Sequence, residues 1–188
     1  GWIAQARMFE DGRRQITAVL LPGDICDPRW AFDRRSLHTI SALTQVTVQK
    51  IPLDWQGDEN LFLRQAQELA RASRIQTEWL VNLGRKPALA RLAHLFCEIA
   101  VRLGHDGGPS VRFDFPLTQT DLADIGGLTS VHVNRTLQDM RSAGLIAMGH
   151  RQLEILDYDR LVEIGGFDKA YLERDAQAGD ASLWKNVA

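Results

Sequence analysis

Between Thr118 and Ala143 the chain carries a spacing that few arrangements of backbone satisfy. Ala123 lies in a short segment with one apolar face, Gly127 follows four residues later, and Val133 six residues after that. Two helices that cross steeply need a small side chain where they touch and a turn that accepts positive φ. They also need an apolar anchor on the second helix. Thr118 followed by Asp121 resembles a capping-box start with a carboxylate in the first turn. Leu122, Ala123 and Ile125 give this helix its inner face, and Gly126-Gly127 ends it. Thr129 or Ser130 caps a second helix from Val131 to about Ala143, with Val133, Leu137 and Met140 as its buried stripe. These intervals are those of a helix-turn-helix that meets DNA.

The outward face of the second helix carries Ser130, Val131, His132, Asn134, Arg135 and Gln138. Arg forks onto guanine O6 and N7, Asn or Gln pairs with adenine, and Val suits a thymine methyl. A merely solvated helix would more often carry Glu and Lys there. Two short apolar runs follow, Gly144–Met148 and Leu153–Leu156, around the polar Gly149-His150-Arg151-Gln152. They predict a β-hairpin, the wing of a winged helix, with Arg151 near its tip in reach of a phosphate. The other reading of a winged helix is a module that binds only protein. Charge weighs against DNA: between Ser110 and Arg160 seven carboxylates face five arginines. Binding must then rest on a few arginines, helix N-termini and backbone amides, with symmetry doubling the contacts.

The remainder of the 188 residues divides into two textures. Residues 1–57 read as short strands and turns. Asp11-Gly12 separates Ala6–Phe9 from Gln15–Leu21, Pro22-Gly23-Asp24 is a further turn, and Ser41–Ile51 is β-prone through Leu43, Val46, Val48 and Ile51. From Leu61 to about Asn82 there is no Gly or Pro, and Phe62, Ala66, Leu69, Leu80 and Leu83 follow a 3/4 spacing interrupted by Ser73 and Gln76. That stripe fits a coiled-coil dimer seam or a helix lying on its own domain. Gly84–Pro87 breaks the chain, and Leu89, Leu92, Ala93, Phe96, Ile99, Ala100 and Leu103 make a strong helical face closed by Gly104. Val111–Phe115 alternates like a short strand.

With 45% apolar and 24% charged residues and a net charge of −2, the chain is expected to be neither disordered nor membrane-spanning. Cys26 and Cys97 lie too far apart for a disulfide framework, which suits the cytoplasm. The chain opens on Gly1 and reads as a fragment lacking an N-terminal part. No metal, cofactor or catalytic activity is expected. His94 with Cys97 supplies two ligands at most, and Cys97 reads as core. His105-Asp106 has no nucleophile or phosphate-cradling motif beside it. Trp2, Trp30, Trp55, Trp79 and Trp184 are spread as separate anchors. Arg71, Arg74, Arg85, Lys86 and Arg91 form a basic stretch that fits either a DNA backbone or a solvated helix face.

These residues together resemble the Crp/Fnr superfamily, the cyclic-AMP receptor protein and its relatives. The resemblance rests on Gly12–Ile16 with Leu20–Asp24, on Trp79–Gly84 with Ala90–Leu95, and on Pro116–Asp124 with His132–Arg135. It implies an α+β fold: a partial β-roll, cyclic-nucleotide-binding-like, over 1–57, a long dimerisation helix over 58–84, and a winged helix-turn-helix domain with a C-terminal tail over 85–188. It implies a homodimer on an inverted-repeat DNA site, touching RNA polymerase when it activates. By position it makes Ser130, Val131 and Arg135 base readers and sets Gln119 and His132 near phosphates. The Gly-Glu pair of the nucleotide-binding members is replaced by Cys26-Asp27-Pro28-Arg29-Trp30, although Arg35-Ser36 remains. Cyclic AMP is therefore not the expected effector.

Overall fold

The computed structural model describes residues 1–27, 29, 36, 38–50, 59–105, 107–108 and 110–173. An N-terminal sheet of order β2-β1-β3 is built from β1 (Ile3–Met8), β2 (Arg14–Leu20) and β3 (Thr39–Ala42). Strict alternation would bury Ile16, Ala18 and Leu20 together. The residues that reach the interior are instead Ile16 and Val19. A bulge resolves this: Gln5 pairs with Ala18 and Ala6 with Ile16, so Thr17 is the extra residue and the alternation changes phase. Of the β-prone Ser41–Ile51, only Ser41 and Ala42 join a strand. β3 ends at Ala42, where its pairing with β1 ends at Ile3. Leu43, Val46 and Val48 lie past that point, Val48 is exposed, and Ile51 is outside the described residues.

Helix α1 (Glu59–Arg85) runs through Gly84 and stops before Pro87. The boundary expected near residue 57 lies outside the described residues. Its inward residues are Ile75, Trp79 and Asn82, one face at i, i+4 and i+7, with Gln65 also buried. The 3/4 stripe faces outward in part: Phe62 is 47% exposed and Leu80 70%. Pro87 precedes α2 (Ala88–Arg102). This helix is buried on nearly all sides, including His94 and Glu98, because α5 (Tyr158–Gly165) and α1 cover the faces that periodicity assigned to solvent.

The C-terminal sheet has order β4-β6-β5, with β4 (Val111–Asp114), β5 (Ile146–Gly149) and β6 (Gln152–Ile155). Phe113 lies opposite Leu153, and Leu153 opposite Met148. α3 (Gln119–Gly126) and α4 (Ser130–Ser142) fill the interval between β4 and β5. The chain described beyond β6 is not a tail: α5 and a 3₁₀ turn (Lys169–Leu172) return to α2 and α1. A Cβ on Gly165 would stand 2.7 Å from the backbone nitrogen of His94, so α2 and α5 meet backbone to backbone. No helix among the described residues is long and apolar enough to cross a membrane.

Candidate nucleic-acid interface

α3 begins with a complete capping box. Asp121 N–H donates to Thr118 Oγ1 at 3.1 Å, and Thr118 N–H donates back to Asp121 Oδ2 at 2.8 Å. Gly127 sits in the left-handed region at φ 60°, ψ 39°, and donates to the carbonyl of Ala123. Leu128 N–H bonds the same carbonyl at 3.0 Å. Thr129 caps α4 by accepting from His132 N–H at 3.2 Å. Val133, Leu137 and Met140 are fully buried, which fixes the opposite face of α4 outward.

That outward face carries Ser130, Val131, His132, Arg135 and Gln138, all exposed, with Val131 80% exposed. Among the described residues no side-chain hydrogen bond or ion pair holds Ser130, His132, Arg135 or Gln138. Asn134 is half-buried, and its Nδ2 donates to Gln119 Oε1 at 3.1 Å. This bond brings the start of α3 alongside the face of α4, so Gln119 and the six α4 residues form one surface. Arg151 stands apart. The wing turns through His150 and Arg151 at φ 51° and 60°, the signs of a type I′ hairpin, and Arg151 Nη2 donates to the carbonyl of Leu43 at 3.1 Å. The structure thus joins Arg151 to the N-terminal sheet region rather than to the α3–α4 surface.

Most of the basic stretch around the α1–α2 junction is engaged within the fold, and Arg85 is exposed. Arg71 pairs with Asp24 at 2.9 Å, and Arg74 donates to the carbonyls of Tyr171 and Glu173. Lys86 donates to the carbonyl of Gly165 at 2.6 Å and to His94 Nδ1 at 2.9 Å. Arg91 donates to the carbonyls of Lys86 and Gly126, each at 2.7 Å. Arg74, Lys86 and Arg91 thus close helix ends.

Behind the interface runs a buried polar chain that the sequence did not announce. Glu98, wholly buried, accepts from Trp79 Nε1 at 2.9 Å, from Tyr171 Oη at 2.8 Å and from Arg102 Nη1 at 2.9 Å. Arg102 donates onward to Asp24 at 2.7 Å. His94 Nε2 lies 3.0 Å from Tyr171 Oη, and burial, helped by the Lys86 ammonium, lowers its pKa to about 4. Burial also pushes the Cys97 thiol up to about 12, and Cys97 is core as expected. Trp2 and Trp79 are separate buried anchors; Trp30, Trp55 and Trp184 lie outside the described residues, as does Asp106. No group of three potential metal ligands occurs among the described residues.

Sequence reasoning also missed the contact between the N-terminal hairpin and the helix-turn-helix. Arg14 pairs with Asp121 and, at 2.6 Å, with Asp124, and Gln15 Nε2 donates to the carbonyl of Ile125 at 3.2 Å. Residues more than a hundred positions apart leave no periodic signal of such a meeting.

The Crp-like helix-turn-helix domain family matches residues 90–164. The transcriptional activator protein FnrL of Cereibacter sphaeroides is 31% identical over 169 residues, covering 85% of this chain and 68% of that protein. The nitrogen fixation regulation protein FixK of Rhizobium meliloti is 32% identical over 148 residues, covering 76% of this chain and 64% of that protein. The chain therefore spans about two thirds of these relatives. Among solved structures, the Crp-family transcriptional regulator TTHB099 of Thermus thermophilus shares the fold at a TM-score of 0.72 and 24% identity, over 88% of this chain and 84% of that one. FixK2 of Bradyrhizobium japonicum does so at a TM-score of 0.64 and 24% identity, over 87% of this chain and 83% of that one. With its capped helix-turn-helix, its wing and these relatives, the chain belongs to the Crp/Fnr superfamily of DNA-binding transcription regulators.

Proposed function

We propose that the chain acts in the cytoplasm as a homodimer that reads an inverted-repeat operator and senses a signal other than a cyclic nucleotide. One observation carries the reading: α4 presents an exposed face of Ser130, Val131, His132, Arg135 and Gln138, none of whose polar side chains is engaged among the described residues. Ser130, Val131 and Arg135 read base edges, with Arg135 on guanine, while Asn134 and Gln138 suit adenine. Gln119 and His132 lie near phosphates. Arg151 reaches a phosphate only by leaving the carbonyl of Leu43. RNA polymerase is the further partner of an activating complex.

Dimerisation is supported by α1, whose heptad-spaced Phe62 and Leu80 stand exposed on the protomer beside Leu63 and Val81. The sensory region is taken to end near residue 57 and the DNA-binding domain to begin near 85. A cavity of about 240 Å³ lies between β2 and α1, lined by Ala18, Leu20, Leu69, Ala72 and Ile75 among others. The arginines that line it, Arg29, Arg71 and Arg102, each lie beside a carboxylate, and Arg35 lies outside the described residues. Support for a signal other than cyclic AMP comes from the replacement of the Gly-Glu pair by Cys26-Asp27-Pro28-Arg29-Trp30.

The test is selection of the purified chain against a random DNA pool at two salt concentrations, repeated with Arg135→Ala. Enrichment of an inverted repeat with half-sites about one helical turn apart, lost in the variant while dimerisation persists, is the expected result. A folded dimer that enriches no sequence would favour the second reading, a winged helix that binds protein.

A further inference from the structure

The first helix of the helix-turn-helix starts with Thr118, Gln119 and Thr120, all exposed and none charged. Its start lies beside the reading face through the bond between Gln119 and Asn134. A helix N-terminus attracts phosphate, yet this one holds Asp121 in its first turn and Asp124 one turn further on. Carboxylates three apart repel each other and oppose an approaching phosphate. Arg14, from the N-terminal hairpin, lies across both: its Nη2 donates to Asp121 Oδ1 and its Nε to Asp124 Oδ2 at 2.6 Å. The other oxygen of Asp121 is occupied by Thr118, whose backbone N–H and Oγ1 donate to it at 2.8 and 2.7 Å. The Asp121 side chain is only 7% exposed, so solvent cannot substitute for the guanidinium.

We infer that Arg14 is a positioning residue for DNA binding, which sets the charge of the first helix through Asp121 and Asp124 without touching DNA. The inference rests on the DNA-binding reading above. It makes the sensory hairpin a supplier of the positive charge that the winged helix lacks. The triad of Arg14, Asp121 and Asp124 carries one net negative charge. Arg14→Gln raises it to two, Asp124→Asn removes it, and the double variant restores one.

The experiment is an anisotropy titration of the full chain and these variants against the selected operator, at roughly 50 and 200 mM salt. Affinity should follow the triad charge. Arg14→Gln should bind about fivefold more weakly at the lower salt, Asp124→Asn tighter by a similar factor, and the double variant near the unsubstituted chain. Arg14→Lys should bind like the unsubstituted chain, and all differences should shrink at the higher salt. A purely structural latch would weaken both single variants and the double alike, and that outcome overturns the inference. So does an unchanged affinity in Arg14→Gln. Should Arg14→Gln fail to fold, Asp124→Asn decides alone: tightening supports the inference and weakening overturns it. If the unsubstituted chain binds no DNA, the DNA-binding reading fails too, a result distinct from the others.

Discussion

Behind the helix-turn-helix, Glu98 and Arg102 are almost wholly enclosed, and each oxygen of the Glu98 carboxylate has at least one donor. In front of it, Arg135 and Gln138 stand in solvent with no protein partner among the described residues. Arginine thus serves opposite ends. Enclosed charges must be satisfied inside the protein, because desolvation leaves them no other option. Exposed ones keep their hydrogen-bonding capacity for something outside. Stability and recognition are therefore carried by different regions, and substitutions can separate them.

The largest effect should come from the enclosed side. Glu98→Ala leaves Arg102 with Asp24 as its remaining carboxylate and strands the Trp79 and Tyr171 donors; it should cost about 3–5 kcal/mol in urea unfolding. A loss below about 1 kcal/mol would show that the buried chain does not hold α1, α2 and the 3₁₀ turn together. Acid should act on the same region. The pKa of His94 is about 4 in the folded chain against 6.5 in the unfolded one. The unfolded state then takes up the proton first, and stability falls as pH drops from 6.5 towards 4, by up to ~3 kcal/mol. A His94→Gln variant whose stability falls just as steeply over that window would assign the loss to other groups. The smallest effect belongs to the exposed side. Val131→Ala should move the unfolding free energy by less than about 0.5 kcal/mol, while changing base preference at one operator position. A clear drop in melting temperature would mean that the front face is also structural.

Much of the front was legible in the sequence because its constraints are local. The capping box at Thr118 and Asp121, the left-handed Gly127 and the stripe of Val133, Leu137 and Met140 each follow from residues a few positions apart. The wing was legible for the same reason. The enclosed side was not. Periodicity read α2 as one-sided, whereas α5 and the 3₁₀ turn arrive from beyond residue 157 to bury His94 and Glu98. Asp157 at the start of α5 and Gly165-Gly166 at its end were signals that could have found that helix. Ser41–Ile51 misled in the other direction: β propensity persisted past Ala42, but the partner strand did not. The contacts of Arg14 and Arg151 depend on how two sheets are placed, which no local pattern encodes.

The missing side chain at Gly165 limits how α2 and α5 can move against each other. Where helices touch through interdigitated side chains, a rotamer change can let one slide a fraction of an ångström along the other. Here the peptide groups of α2 and α5 are themselves the bearing surfaces, and a peptide group has no alternative rotamer. The joint behaves as a weld rather than a sliding fit. Any movement of α2 must therefore carry α5 with it as one body.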